Sequence, residues 1–370
     1  MTKVCFLTSV HNPFDTRVFY KEAVSLRKAG YDVTLICQTP QEETIEGIRL
    51  VPLPQPKNRP ERMLKTTFVL LQRALKEKAD IYHFHDPELI GVGLVLKAKG
   101  YHVIYDVHEN VAEQMLHKEW LPFKSVFAAG YRQMERLAGR AFPLVLAEDS
   151  YEALYPPAWK TWTVRNFPDL TLFPTPPEKK EPYIVYLGGV SQIRGADVTL
   201  DALKLLKDAG TPVRFECIGA MSSADETRLR DKVQQYGLQD LVVFHGRMKA
   251  KDAYRIVAKA FAGLAVLEPI GNYVNSYPTK MFEYMALQVP VITSNFPLYQ
   301  DVVNASSCGF VVDPQDPKEI AESIRTLAAD PALVKSVGQS GRAAVERSYN
   351  WANENETLQQ LYRSLQPAHS

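Results

Sequence analysis

The chain is short of cysteine, of net charge and of long apolar runs. Four cysteines, Cys5, Cys37, Cys217 and Cys308, are scattered over 370 residues. The first three sit in apolar, strand-like stretches. That spacing fits neither a disulfide framework nor a metal-binding cluster, and it points to a reducing, cytoplasmic setting. Net charge is only +1, so no bulk field recruits nucleic acid. No stretch approaches the ~20 apolar residues of a membrane span. A short apolar run, Val4 to Val10, ends at His11-Asn12-Pro13 rather than at a cleavage site, so it reads as a strand and not as a leader.

What is present suits a large soluble α/β protein. Hydrophobic residues make up 46% and charged residues 23%, and a chain of this size carries two cores more readily than one. The pattern β-loop-α-β appears twice. In the first half Val4–Thr8 reads as a buried strand, His11–Arg17 as a loop, about Val18–Ala29 as a helix and Asp32–Cys37 as the next strand. Asp80–Asp86, His102–Val107 and Leu144–Ala147 continue the sheet. After a proline-rich stretch the pattern restarts with Tyr183–Leu187, a Gly188-Gly189 turn, a helix from about Asp197, and strands at Val213–Ile218, Leu241–Gly246 and Ala262–Leu267. The expected organisation is therefore a doubly wound domain over 1–167, a linker over 168–182 and a second doubly wound domain over 183–348. A final helix over 349–370, opened by Tyr349-Asn350-Trp351, is expected to cross back to the first domain. Such folds bind ligands at the carboxyl ends of their strands, and two of them imply a cleft.

The organising stretch is Gly271 to Pro290. Asn272 to Pro278 reads as loop, and Thr279 is expected to cap a helix over about Lys280–Leu287. A polar loop feeding a helix N-terminus is an anion site. Lys280 adds a cation, and Glu283 one turn on can accept from a sugar diol. An ordinary capped helix before a buried strand would look the same. Gly188 and Gly189 allow close backbone approach to a ligand, and Arg194 can then reach a phosphate. Asp15 and Arg17 sit where a ligand could be, although Asp15 as a helix cap and Arg17 on the surface explain them equally well. His83, His85 and His108 could suggest zinc, but His83 and His85 alternate with apolar residues on a strand and no cysteine completes a site. Two helices, Arg59–Lys78 with Met63, Phe68, Leu71 and Leu75, and Lys118–Arg140 with Trp120, Phe123, Phe127 and Tyr131, are basic and amphipathic. They read either as domain helices or as peripheral contacts with an anionic membrane.

With these residues in hand, the chain resembles the retaining family-4 glycosyltransferases of the GT-B fold. The likeness runs through H-N-P-F-D-T-R-V-F-Y-K-E-A from His11, I-Y-D-V-H-E-N from Ile104, Y-L-G-G-V-S-Q-I-R-G from Tyr186 and N-S-Y-P-T-K-M-F-E-Y-M-A from Asn275. It is closest in character to enzymes of bacterial surface-polysaccharide biosynthesis. The resemblance implies transfer of a sugar from a UDP- or GDP-type donor to a saccharide or lipid-linked saccharide. Glu283 matches the second acid of an E-x7-E signature and would hold the ribose. Arg194 and Lys280 would act on the donor diphosphate, with Gly188, Gly189, Gly219, Ser276 and Thr279 around it. His108 would lie beside the transferred sugar, and Arg247 and Met248 at the base. The Asp15-Thr16-Arg17 loop would meet donor phosphate and acceptor. No cofactor and no metal are implied, in keeping with the lack of an Asp-x-Asp in a strand context.

Two departures from that pattern stand out. The first acid of the signature is here Asn275, which is uncharged. A second basic residue expected near Gly188 or Gly189 is missing. They leave two rival readings in place: a nucleotide-sugar epimerase of the same fold, and a non-catalytic nucleotide-sugar-binding protein.

Overall fold

The computed structural model describes residues 1–108, 111–116 and 123–366. The chain divides into two compact units, 1–166 with 351–370, and 167–350. The first unit holds eight strands: β1 (Lys3–Leu7), β2 (Asp32–Cys37), β3 (Glu43–Ile45), β4 (Ile48–Pro52), β5 (Ile81–Phe84), β6 (His102–Val107), β7 (Leu144–Leu146) and β8 (Thr161–Thr163). They lie in the order β3-β4-β2-β1-β5-β6-β7-β8. Every pairing is parallel except the β3–β4 hairpin at the edge. β1 is buried on both faces, which is why its sequence is an unbroken apolar run. β3 and β8 are short and half-exposed, so they carry little apolar signal.

One face of this sheet packs Leu70, Ala74, Ile90, Leu96 and Ala138 from three helices. The other packs Phe19, Ala23 and Leu26 together with Trp351, Leu358, Leu361 and Tyr362. Those last four belong to the terminal helix Trp351–Leu365. Trp351 Nε1 donates to Ser25 Oγ at 2.8 Å, and the Tyr362 hydroxyl lies 2.8 Å from His83 Nδ1. The last helix is thus part of the first unit's core, starting two residues later than its sequence signal.

Several helices differ from expectation. The first begins earlier, as a π-wound segment Thr16–Ala23 running into Val24–Lys28. Asp15 is its N-cap, accepting from the Arg17 and Val18 N–H groups at 2.8 and 3.0 Å. The Arg59–Lys78 pattern resolves into Arg59–Glu61, a π-wound turn Arg62–Thr66, and Thr67–Glu77. The wide turn shifts the inward stripe to Thr66, Leu70 and Ala74, and leaves Met63 and Phe68 exposed. The next long helix is Lys124–Ala141. Its expected opening, with Trp120, lies outside the described residues. Ala128, Tyr131, Ala138 and Gly139 face inward, while Phe123 and Phe127 are exposed.

The second unit carries β9 (Glu181–Leu187), β10 (Arg214–Ile218), β11 (Val242–Gly246), β12 (Ala260–Ala265), β13 (Val291–Ser294) and β14 (Gly309–Val312). Their order is β11-β10-β9-β12-β13-β14, all parallel. The order reverses beside β9, so the carboxyl end of β9 is the switch point where doubly wound sheets bind ligands. The proline-rich stretch is not bare linker. Phe167 stacks among Tyr277, Phe282 and Tyr349, and Leu170–Leu172 form one 3-10 turn.

Candidate active site

The second unit gathers the candidate site residues at the carboxyl ends of β9, β10 and β11. Each of these strands ends in a glycine with positive φ: Gly188 (125°), Gly219 (153°) and Gly246 (67°). Gly219 has no alternative. A Cβ there would lie 1.7 Å from the Gly188 carbonyl oxygen, so no side chain fits between the two strand ends. Gly189 is free to face Arg194, whose Nη1 would sit 3.2 Å from a Cβ at that position. Gly195, φ 79°, lets the turn after Arg194 press against the Val266 carbonyl.

Thr279–Ala286 is the helix of the organising stretch. Its cap is not Thr279, as the sequence suggests, but Pro278, which offers no capping side chain. The Met281 N–H donates back to the Pro278 carbonyl at 2.9 Å, and the Thr279 and Lys280 N–H groups, which precede it, remain open to another acceptor. Lys280, in that first turn, is buried. Its Nζ lies over the Tyr186 ring, 3.7 Å from the centroid, and would meet a Cβ on Gly188 at 3.2 Å. Among the described residues no hydrogen-bond acceptor reaches it. Burial, reinforced by the neighbouring Arg194 charge, brings the Lys280 ammonium down to about 7. Arg194 is half-buried; its Nε donates to the Tyr273 hydroxyl at 3.1 Å. Two cations thus share one polar recess with hydroxyls and aromatic faces, not carboxylates, as their nearest partners. A site of that kind is electrostatically incomplete without an anion.

Glu283, one turn along, accepts from the Tyr254 hydroxyl at 2.9 Å, which fixes its carboxylate while leaving it half-exposed. Ser276 Oγ donates to the Asn272 carbonyl at 2.8 Å, whereas Asn275 and Thr279 are exposed. At the end of β11, Arg247 is exposed and Met248 packs partly into the core. Beside them, His245 Nε2 meets Glu216 Oε2 at 2.6 Å. Tyr186, Tyr254 and Tyr273 are the residues that the sequence reading passed over. Tyr186 opens one of the quoted motifs and Tyr273 lies in the loop of the organising stretch, but nothing in the pattern marks either as a site residue.

The first unit has its own polar cluster at the ends of β1, β5 and β6. Arg17 is buried, not a surface cation or a free phosphate ligand. Its guanidinium donates to both Asp106 carboxylate oxygens and to the Val164 carbonyl. Glu22 Oε1 is 2.9 Å from Arg17 Nε, but that N–H points to Asp106 and the contact is not a hydrogen bond. Burial, then the Asp106 charge, raises the Glu22 carboxyl well above its usual range. Asp106 is held well below its range by Arg17 despite its burial. Burial lowers His85 to about 4 and His83 well below its ordinary value. Arg17 and Asp106 form the hydrogen-bonded ion pair at the centre of this cluster.

Glu22, His83, His85 and Asp106 do bring ligand atoms within 4.8 Å of one another. Within that set the Asp106 carboxylate already accepts from the Arg17 guanidinium through both oxygens. His108 sits at the rim. Its Nε2 is 3.1 Å from His85 Nδ1 and 3.3 Å from Asp106 Oδ2, which fixes the ring and favours a proton on Nε2. His11 bridges outward, its ring 5.1 Å from His108 and its Nδ1 3.7 Å from Asp15 Oδ2. Asp15 is held below its usual range, against burial, by His11 and the amides it caps. Thr16 is exposed. His108 and Asp15 thus share one polar neighbourhood, with Arg17 committed beneath it.

Comparison with known proteins agrees with this layout. The family profile described as Glycosyl transferases group 1 matches residues 170–344, and that of Glycosyltransferase Family 4 matches residues 16–153. Among curated relatives, a putative colanic acid biosynthesis glycosyltransferase, WcaL of Escherichia coli, is 25% identical over 49% of this chain and 45% of its own. The capsular polysaccharide biosynthesis glycosyltransferase CapM of Staphylococcus aureus is 27% identical over 49% of this chain and 46% of its own. The chain thus spans about half the length of the curated relatives it matches. Among solved structures, sucrose-phosphate synthase from Thermosynechococcus elongatus superposes with TM-score 0.79 at 20% identity, covering 99% of both chains. HepE of Anabaena, in complex with UDP and glucose, gives 0.75 at 15% identity over 98% of this chain and 100% of its own. These likenesses carry the fold. Together with the two profile matches, they show that the chain belongs to the glycosyltransferases of the GT-B fold, with a family 4 N-terminal unit and a group 1 C-terminal unit.

Proposed function

We propose that the chain transfers a sugar from a nucleoside-diphosphate donor, of the UDP or GDP type, to a hydroxyl of a saccharide or lipid-linked saccharide, with retention and without a bound metal, in polysaccharide assembly. One observation carries the reading. Lys280 and Arg194 share a recess at a helix N-terminus without a side-chain cap, beside glycine strand ends, and among the described residues neither is hydrogen-bonded to a carboxylate. A diphosphate supplies the missing charge. Glu283, steadied by Tyr254, is then the ribose ligand, and the turn at Arg247 and Met248 the base side. The names of WcaL and CapM, and the UDP bound to HepE, support this choice of chemistry.

As the glycosidic bond breaks, negative charge grows on the leaving diphosphate. Arg194, Lys280 and the first-turn amides are aimed at that charge, and each well-placed donor contributes about 3 kcal/mol to the transition state. In this reading the departing phosphate oxygen takes the acceptor proton on the same face, so no side chain serves as nucleophile. His108, oriented by Asp106 and His85, holds a sugar hydroxyl. The four buried, unpaired cysteines fit a reducing, cytoplasmic setting.

The test is a thermal-shift panel of UDP, GDP, ADP, TDP and CMP. A ligand at about 100 times its Kd adds about 2.7 kcal/mol, and one or two diphosphates should raise Tm. The anomeric configuration of the product, read by NMR, then tests retention. No shift with any nucleotide would overturn the donor reading, and nucleotide release from donor alone would favour an epimerase.

A further inference from the structure

In the first unit, Glu22 Oε1 and Oε2, His83 Nε2 and His85 Nε2 are buried with no hydrogen-bond partner among the described residues. Their placement follows from the local fold. His83 and His85 stand two residues apart at the end of β5, so both rings leave the sheet on one face. They stack with centroids 4.7 Å apart, and the Phe6 ring from β1 lies 5.1 and 5.6 Å from them. The π-wound turn Thr16–Ala23 buries Glu22 on that side, and Asp106 comes from β6. Glu22 Oε2 is 3.8 Å from His85 Nε2, and Asp106 Oδ2 is 3.8 Å from His83 Nε2. One polar atom from each of the four residues falls within 4.8 Å of the others. Buried polar groups turned toward one point call for a partner there.

The geometry also fixes where the protons sit. Burial keeps the His83 and His85 rings neutral near pH 7, so each carries one N–H. Both Nε2 atoms face carboxyl oxygens, where a bare ring nitrogen would set acceptor against acceptor. The protons therefore belong on Nε2. His83 Nδ1 is then an acceptor, and the Tyr362 hydroxyl on the terminal helix donates to it at 2.8 Å. Burial keeps that phenol protonated. His85 Nδ1 is likewise an acceptor, and it takes the His108 Nε2–H at 3.1 Å. The spacing of the four groups suits a water. Tetrahedral partners of a water bonded at about 2.8 Å stand about 4.6 Å apart, whereas those of a zinc ion stand about 3.4 Å apart.

We propose that Glu22, His83, His85 and Asp106 bind one buried water, and that through it the Tyr362 hydroxyl sets the tautomer of His108. The water accepts from His83 Nε2–H and His85 Nε2–H and donates to the Glu22 and Asp106 carboxyl groups, a full set of four hydrogen bonds. A single chain of hydrogen bonds then runs from Tyr362 through His83, the water and His85 to His108. With its proton held on Nε2, His108 keeps Nδ1 as an acceptor. In the sugar-transfer reading, on which this last consequence rests, His108 accepts from a sugar hydroxyl instead of donating to one. Tyr362 is thus a positioning residue that acts through His83 and His85.

The experiment is proton–nitrogen NMR of the full chain, nitrogen-labelled in its histidines, near neutral pH and without nucleotide. Wild type is expected to carry the His83, His85 and His108 protons on Nε2. Tyr362→Phe removes the donor to His83 Nδ1 and should put His108 into a mixture of tautomers. It should also lower kcat about tenfold, the worth of about one hydrogen bond, with the donor KM unchanged. Glu22→Gln keeps an oxygen for the water and should keep the His108 tautomer, whereas Glu22→Leu fills the water's place and should shift it. That pair decides the matter even where Tyr362→Phe fails to fold. A high-resolution crystal structure should show one water within hydrogen-bond distance of Glu22, His83 and His85. A wild-type His108 proton on Nδ1 overturns the proposal, as does a wild-type tautomer retained by both Tyr362→Phe and Glu22→Leu, or a metal ion bound in the cluster at one per chain. The tautomers are read without donor, so failure of the donor reading shows separately, as loss of nucleotide binding.

Discussion

Lys280 Nζ stands over the face of Tyr186, 3.7 Å from the ring centroid, with no hydrogen-bond acceptor in reach among the described residues. A cation left to an aromatic face inside a protein is held by the fold at a cost. That relationship makes Lys280 pH-sensitive in a defined direction. Its ammonium is brought down to about 7 in the folded chain by burial and then by Arg194, while Glu283 and Cys217 pull the other way. Between about 7 and the unfolded value the unfolded chain binds the extra proton, so this group makes stability rise with pH across that window. Donor binding has the opposite slope. An anion favours charged Lys280, so affinity is full below about 7 and falls as pH rises above it. Titration calorimetry with a nucleotide-sugar, whose diphosphate does not itself titrate near neutrality, should show up to a tenfold loss per pH unit above 7. Lys280→Met should bind weakly and without that slope.

Arg194 and Glu283 are predicted to fail differently. Arg194→Ala removes a donor aimed at the leaving group and should lower kcat about a hundredfold, roughly 3 kcal/mol. Glu283→Ala should leave kcat nearer wild type and raise the donor KM. Steady-state rates for both variants check this, and equal effects on both parameters would count against the assignment.

Gly219→Ala tests the strand ends. Its Cβ would fall 1.7 Å from the Gly188 carbonyl at a φ of 153°, so the loss should be at least ~3 kcal/mol from strain and overpacking. Urea unfolding measures it. Nucleotide affinity should fall as well, because the displaced backbone belongs to the recess of Lys280.

In the first unit, Asp106→Asn leaves the Arg17 guanidinium buried beside an uncharged amide. Breaking a buried pair from one side costs about 3–5 kcal/mol. The same substitution removes the carboxylate that orients His108. Asp106→Asn should therefore lose both stability and turnover, whereas His108→Gln should lose turnover with a near-normal Tm. Trp351→Ala, by emptying a fully packed position beside Ser25, is expected to cost about 3–5 kcal/mol and to destabilise the first unit.

Much of this was legible in the sequence. The buried strands β1, β2, β5, β6, β9 and β12 announce themselves as apolar runs because both faces of a parallel sheet are covered. That Gly188, Gly189, Arg194 and Lys280 come together was implied by the family resemblance and not by pattern alone. What was not legible has physical reasons. Asp15 and Arg17 offered equal signals for ligand contact and for structure; only the distant partners Asp106 and Val164 decide that Arg17 is structural. The π-wound turns at Thr16–Ala23 and Arg62–Thr66 break the 3.6-residue period on which helix faces are read. Thr279 already has helical backbone, so the cap position falls to the extended Pro278 one residue earlier. The stripe Phe123, Phe127 resembles a core face by pattern, and exposure alone distinguishes it.

The most direct test is a crystal structure of the chain with UDP or GDP bound. The account predicts the diphosphate within hydrogen-bond distance of Lys280 Nζ, the Arg194 guanidinium and the N–H groups that open the Thr279–Ala286 helix. A nucleotide seated in the second unit with its phosphates away from Lys280 and Arg194 would contradict it.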